Sequence, residues 1–323
     1  MKPSPDPTTI YRIARYYYEE GLSQEEVARR EGFSRSQISR LLDKAKEMGM
    51  VRIQLIPPTE LVSEGYAAMI ARELDLKGVL VVPGGTVKAT DGMAMAKIIA
   101  TAAVDIVQAA ILSHRVIGMG WGRTVYELSQ LIPYQESSME SRFVPLVGTS
   151  GNDNPNLQIN TIIDRLSCKF HSKGLFVNAQ AVREKGATLT RIEREREANL
   201  LKQWDSVEIA VVGLGEPPRF ATDFLVELPD SSRDDLCSSD AVGDLLGRYF
   251  RADGCEVGIG ESYEQLAFPL GRFSSLERVF CLAGGAEKVV GIEAAARAKY
   301  ITDLVTDEAT ARALCERLKK GDH

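Results

Sequence analysis

The sequence lacks what a secreted, zinc-bound or membrane-inserted protein would carry. Its five cysteines, Cys168, Cys237, Cys255, Cys281 and Cys315, are odd in number, widely spaced and contain no C-x-x-C pair. A disulfide framework or a zinc site needs tighter grouping, so a reduced cytoplasm is the expected compartment and neither metal nor cofactor is expected. The opening MKPSPDPTT has no apolar core of a signal peptide, and no run approaches 18 apolar residues, so secretion and membrane insertion are not expected. Histidine is scarce, with only His114, His171 and His323. A net charge of -6 argues against a protein that coats nucleic acid with its whole surface. No internal repeat or low-complexity tract is present.

What is present is ordinary in bulk and uneven in placement. The 323 residues are enough for a small domain plus a larger one, and 44% hydrophobic with 26% charged residues suits a soluble globular chain. Residues 29–52 hold seven basic side chains (Arg29, Arg30, Arg35, Arg40, Lys44, Lys46, Arg52) against three acidic ones (Glu31, Asp43, Glu47). The remainder is acidic on balance, so any electrostatic footprint for nucleic acid is local.

That basic stretch overlaps residues 23–42, SQEEVARREGFSRSQISRLL, which reads as a helix-turn-helix. Ser23 and Glu26 have capping-box spacing, Gly32 supplies the tight turn, and Ser34 can cap a second helix with Ile38, Leu41 and Leu42 on one face. The second helix shows Arg35, Ser36, Gln37, Ser39 and Arg40 outward, side chains able to bond base edges and phosphates from a major groove. With Gln24, Arg29, Ser34 and Lys44 these form the expected DNA-contacting set. A preceding helix is expected over residues 10–20, closed by Gly21, after a disordered MKPSPDP lead. Its Tyr16, Tyr17 and Tyr18 cannot all be core; packing against the second helix is the favoured role, and reaching the DNA backbone is the other. Residues 51–55 alternate like a short strand, and Pro57-Pro58 marks the boundary between a helix-turn-helix domain at 1–56 and a second domain at 57–323.

From residue 59 the grammar changes. A helix is expected over 60–74, suited to the large domain or to a partner subunit. Short β-branched runs at 79–82, 116–119, 143–147, 175–177, 207–212, 279–283 and 301–305 then alternate with amphipathic stretches at 93–112, 125–132, 157–170, 191–204, 288–298 and 308–318. This implies a Rossmann-like, mainly parallel α/β sheet with helices on both faces. Ligands in such folds sit at the carboxyl ends of the strands. Three glycine-rich turns fall there: GMGWGRT at 118–124, VGTSGN at 147–152 and AGGAEK at 283–288. Glycines let backbone approach an anion, and a helix N-terminus favours one; Arg123, Thr124 and Lys288 could add charge and a hydroxyl. The three together point to a sugar-phosphate or polyol pocket. The G-x-G-x-G spacing is not the dinucleotide fingerprint.

The block YYYEEGLSQEEVARREGFSRSQISRLLDKAKEMGMVRI resembles the N-terminal domain of the SorC/DeoR-type sugar-binding transcriptional regulators. GMGWGRTVYEL, DAVGDLLGRYFRADG, CLAGGAEKVVGIEAA and ITDLVTDEATARALC are similar to that family's effector domain, in the same order, so the resemblance covers residues 11–318. It implies a bacterial regulator whose effector domain is related in fold to sugar-phosphate isomerases and glucosamine-phosphate deaminases. It also implies dimers or tetramers and operator binding controlled by a small sugar, sugar phosphate or polyol. Carried over by position, the effector contacts are Gly120, Gly122, Arg123, Thr124, Gly148, Thr149, Gln158, Asp240 and Lys288. Some family members that bind bisphosphates have an arginine and a second glycine in the Gly148 loop, where this chain has Val147 and Thr149. That departure leaves a monophosphate or an uncharged polyol open.

Two other classes compete. An isomerase- or deaminase-like enzyme would need a placed acid or base near the glycine-rich turns. None of the three histidines lies there; Asp223, Asp240 and Asp253 are the carboxylates it would use. A scaffold using its helical N-terminus only to oligomerise predicts no salt-dependent DNA affinity.

Overall fold

The computed structural model describes residues 6–51, 64–82, 92–136, 140–150, 158–220, 228 and 230–320. The chain divides into two compact units, Met1–Leu55 and Ile56–His323.

The first unit is three helices, α1 (Pro7–Tyr18), α2 (Gln24–Glu31) and α3 (Arg35–Glu47). The lead ends sooner than its proline content implies. Asp6 accepts from the Thr9 N–H and Pro7 takes the first helical turn, where a missing N–H costs nothing. The expected capping box of Ser23 with Glu26 forms, and Ser34 caps the second helix as expected, with Gln37 completing a second box there. Gly32 closes α2 in the left-handed conformation at φ 71, which a side chain would resist. Ile10, Ile13, Val27, Ile38, Leu41, Leu42 and Ala45 make the core. Tyr16 is buried in it and Tyr17 packs against it, the favoured role for these rings. Of the strand expected over 51–55, Val51 lies outside any strand and 52–55 fall outside the described residues, as do Pro57 and Pro58.

In the second unit, α4 (Glu64–Leu74) is the described part of the helix expected from residue 60. It leads to β1 (Gly78–Val82), α5 (Gly92–Ser113), β2 (Val116–Met119), α6 (Arg123–Leu131), β3 (Arg142–Pro145), α7 (Ile159–Lys169) and β4 (Lys173–Gly174). After β5 (Val182–Glu184) come α8 (Arg191–Trp204), β6 (Ile209–Gly213) and α9 (Asp230–Cys237). The chain then forms β7 (Gly243–Leu245), β8 (Arg248–Phe250), β9 (Glu256–Val257) and β10 (Tyr263–Gln265). It ends with β11 (Arg278–Leu282), α10 (Val289–Arg297), β12 (Asp303–Asp307) and α11 (Glu308–Lys320). Seven strands form one parallel sheet in the order β1-β12-β11-β6-β2-β3-β4. Its central strands β2 and β6 are buried throughout except at Gly213, which requires helices on both faces. α5, α6 and α7 pack in one series and α4, α10 and α11 in another.

α5 is long and apolar enough to cross a membrane by length and composition, although Lys97 and Asp105 interrupt it. Its Ile99, Ala100, Ala103, Val107 and Ile111 are buried in the sheet unit's core, the usual position of so apolar a helix.

One expected strand is absent, and short strands form where none was expected. No strand forms at 175–177: the ladder stops at Gly174, and the Asn160 amide takes its place, bonding the Val177 carbonyl at 2.7 Å and its N–H at 3.0 Å. Residues 240–265 hold an antiparallel meander, β7-β8-β9, and a strand, β10, paired with β5. These two- and three-residue strands are too short to carry a readable period.

Candidate functional site

In the first unit the buried Ile38, Leu41, Leu42 and Ala45 turn the opposite side of α3 to solvent. Arg35, Ser36, Gln37 and Arg40 are exposed there, and Ser39 is half-buried. Arg29 is exposed on α2, while Gln24 and Lys44 are half-buried. Gln37 also closes its helix's capping box, with Oε1 accepting from the Ser34 N–H at 2.9 Å and the Ser34 hydroxyl at 3.0 Å. Only its amide N–H₂ is left to meet a base. Ser34 and Ser36 hydroxyls lie 3.0 Å apart. The angle between α1 and α2 is clamped by Arg12, whose guanidinium donates to both oxygens of Glu31 at 2.8 and 2.7 Å. That pairing holds the Glu31 carboxyl below its ordinary range, and Arg30 stacks 4.1 Å from the centre of the Tyr16 ring.

In the second unit, β3 and β4 extend from β2 to one side, and β6, β11, β12 and β1 to the other. The sheet therefore switches direction between β2 and β6, and the crevice beyond their carboxyl ends is where such folds bind ligands. The 120–124 turn lies there. Gly120 donates to the Val211 carbonyl at 2.8 Å, and a Cβ on it would come within 2.8 Å of Leu246, so this glycine serves close packing. Gly122 adopts φ 110 and starts α6 with no side-chain cap. The 284–288 turn faces it. Gly284 is pressed against Asp307, and the Gly285 N–H donates to Thr310 Oγ1 at 2.8 Å. Thr310 in turn donates to Asp307 through its N–H at 3.0 Å and its hydroxyl at 2.5 Å.

Between the two turns is a cleft of about 160 Å³ lined by Arg123, Thr124, Glu216, the 284–288 turn, Asp307 and Thr310, with Gly92, Met95 and Ile99 of α5. Arg123, Thr124 and Lys288 thus come together, with Gly120 and Gly122 shaping the turn. The other expected contacts do not line it among the described residues. Gly148 is packed on backbone: a Cβ there would lie 2.6 Å from the Ala181 nitrogen and 2.7 Å from the Ala179 carbonyl oxygen. Thr149 bonds the same Ala179 carbonyl. Gln158 stands at the start of α7. Asp240 is exposed and paired with Arg251 at 2.6 Å. Asp223 lies outside the described residues.

Glu216, Asp307 and Thr310 escaped sequence reading, as did the neighbouring Asp244. Asp244 belongs to the same DAVGD block as Asp240 but is buried, accepting from the Gly247 N–H at 2.8 Å. Burial pushes its carboxyl up to about 6, the Gly247 N–H and Lys288 pull it back, and Glu216 pushes it further. The two described histidines are elsewhere. His114 bonds the Ala110 carbonyl and approaches Glu277, just before β11, and His171 occupies a turn after α7.

The family described as "Putative sugar-binding domain" matches residues 63–316. The chain is 26% identical to the sorbitol operon regulator of Klebsiella pneumoniae over 320 residues, covering 97% of this chain and 99% of that protein. It is 27% identical to the transcriptional regulator LsrR of Escherichia coli K12 over 312 residues, 94% of this chain and 93% of that one. Among solved structures it resembles the full-length sorbitol operon regulator SorC from Klebsiella pneumoniae, with TM-score 0.72, 24% identity and coverage of 97% and 99%. It also resembles a DeoR family transcriptional regulator from Listeria monocytogenes, with TM-score 0.66, 20% identity and coverage of 78% and 99%. At these identities the structural matches speak for the fold.

Proposed function

The chain belongs to this sugar-binding domain family, and from that premise we propose that it is a sequence-specific DNA-binding regulator of a carbohydrate or polyol operon, controlled by a small sugar effector. It acts as a regulator rather than as an enzyme, as its curated relatives do. The first unit is the operator-binding domain, read by Arg35, Ser36, Gln37 and Arg40, with Arg29, Lys44 and Lys46 nearer phosphates. The second is the effector-binding and oligomerising domain. It works in the cytoplasm, where the operator is.

The observation that carries the reading is the convergence of Arg123, Thr124 and Lys288 on one cleft at the sheet's switch point. An uncapped helix start, a guanidinium and an ammonium favour an anion, and Glu216 is able to meet hydroxyls. The effector is accordingly a monophosphorylated sugar or polyol. Two cations facing Glu216, Glu287 and Asp307 leave too little positive charge for a bisphosphate. One recognition helix makes few base contacts, so two copies read two half-sites about 34–36 Å apart or at multiples of that spacing. Ligand alters DNA affinity by binding unequally to arrangements that differ in this spacing.

Gel-shift titration on DNA upstream of the gene, with and without a panel of sugar phosphates and free polyols, tests this. A salt-sensitive shift moved by one phosphorylated compound supports the reading. A protein that shifts no DNA at low salt, or whose shift ignores every compound, contradicts it.

A further inference from the structure

Behind the cleft, Asp244 is a buried carboxylate that effector binding as described above does not use. It is surrounded on every side. Its cross-strand partner on β8 is Tyr249, whose hydroxyl is buried and makes no hydrogen bond among the described residues. Directly opposed residues on two strands share a face, so the phenol and the carboxyl lie on the same side of the meander. The turn after β6 brings Gly215, whose N–H donates to the Asp244 carbonyl at 2.9 Å, and next to it the Glu216 carboxylate in the cleft wall. The segment before α10 brings the Lys288 ammonium, and α9 brings Cys237 toward the phenol. Lys288 lines the cleft together with Glu216 and also acts electrostatically on the buried Asp244 carboxylate, so the cation that favours Asp244's charge is the cleft's anion-binding group.

A buried carboxylate keeps its charge only with help, and here the charged help is Lys288. An anion seated on Lys288 cancels that support and adds a second negative charge nearby. We propose that the cleft takes up a proton from solvent together with an anionic effector, with Asp244 as the acceptor, so that effector affinity is tuned by pH. The step is Asp244 carboxylate plus a solvent proton giving the neutral acid. It rests on the assignment of the cleft as the effector site. The carboxyl, already raised to about 6, moves higher when the anion binds. The direction follows: affinity for an anion strengthens as pH falls from 8 toward 6, by no more than about tenfold per pH unit for one proton. A neutral polyol donating a hydroxyl to the Asp244 carboxylate would show the opposite trend.

Sulfate is the probe, a tetrahedral dianion whose charge is constant over this range. Isothermal titration of the full chain with sulfate, at pH 6 and pH 8 and in two buffers of different ionisation enthalpy, reads affinity and proton count together. The expected result is binding about fivefold or more tighter at pH 6 and proton uptake approaching one per site between these limits. Asp244→Asn fixes the neutral form. It should bind sulfate without proton uptake and, at pH 8, more tightly than the wild type. Wild-type binding with no pH dependence and no proton uptake overturns the coupling and leaves the effector cleft standing. Loss of sulfate binding in a folded Asp244→Asn protein overturns it too, because Asp244 is then an anchor rather than a proton acceptor. Absence of sulfate binding to the wild type at both pH values overturns the coupling and the anion-binding cleft together. The wild-type proton count decides the matter even if the variant does not fold.

Discussion

Replacing Gln37 by glutamate changes the chemistry at the start of α3 while keeping its geometry. In the Ser34 box, Gln37 Oε1 accepts from the Ser34 N–H at 2.9 Å and the Ser34 hydroxyl at 3.0 Å. The neighbouring box already uses a glutamate this way: Glu26 accepts from the Ser23 N–H at 2.8 Å and the Ser23 hydroxyl at 2.7 Å. Those bonds hold the Glu26 carboxyl below its ordinary range, so a glutamate making the same bonds at 37 is ionised at neutral pH. Helix stability should therefore stay within about 0.5 kcal/mol or rise slightly. Gln37→Ala removes the box instead and should cost about 1 kcal/mol, noticeable in a unit of this size. At the DNA the order reverses in meaning. Glutamate has no N–H₂ to offer a base acceptor and repels phosphate, so Gln37→Glu should lose about 1–3 kcal/mol of operator binding, roughly 5- to 150-fold, without loss of fold. Thermal melts paired with gel shifts on the upstream DNA and on a random duplex separate the two effects. A Gln37→Glu protein that binds both duplexes as the wild type does would remove Gln37 from base reading.

Three further outcomes follow from single contacts. Gly148→Ala drives a methyl into the Ala179–Ala181 backbone and should destabilise the second unit by about 1–3 kcal/mol in a urea titration, while a neutral result would mean the loop yields freely. Asp244 has a folded value of about 6, above the ordinary 3.8, so the native state binds the proton more tightly and wild-type stability is lost as pH rises through 4 to 6. Asp244→Asn, still able to accept from the Gly247 N–H, should escape this and exceed the wild type by up to about 3 kcal/mol at pH 8, with the difference vanishing near pH 4; equal stability at pH 8 would refute the burial cost. Light scattering at micromolar concentration should give a dimer or tetramer, and a monomer with and without operator DNA would contradict the two-half-site reading.

The first unit was legible because its signals are local. Ser23, Glu26, Gly32 and Ser34 each act within four residues, and the Ser23 box and the Ser34 cap form where the spacing places them. The parallel sheet was legible because strands buried on both faces read as apolar runs. The Arg123–Thr124 and Lys288 turns were legible because each follows a strand and opens a helix. What failed depends on contacts distant in sequence. Asp240 and Asp244 stand four residues apart in one motif, and only the pairing of β7 with β8 shows that Asp244 turns inward while Asp240 meets Arg251 outside. Gly148 looked like a ligand loop, yet its need for glycine arises from a backbone about thirty residues away. Glu216 and Asp307 sit at strand ends without any local mark. The missing 175–177 strand turns on one amide, Asn160, that no periodicity reveals.

Central to the account is that Lys288 senses the effector without contributing to DNA recognition. Lys288→Ala should bind operator DNA like the wild type when no effector is present, and Thr124→Val should do the same. Across a titration with the sugar phosphate that moves the wild-type gel shift, Lys288→Ala should show no response and Thr124→Val a weakened one. The operator affinity of Lys288→Ala, measured along that titration, is the direct test. A flat response at wild-type starting affinity is the predicted result; a wild-type response would remove the cleft as the effector site, and weak operator binding before any effector is added would make Lys288 structural.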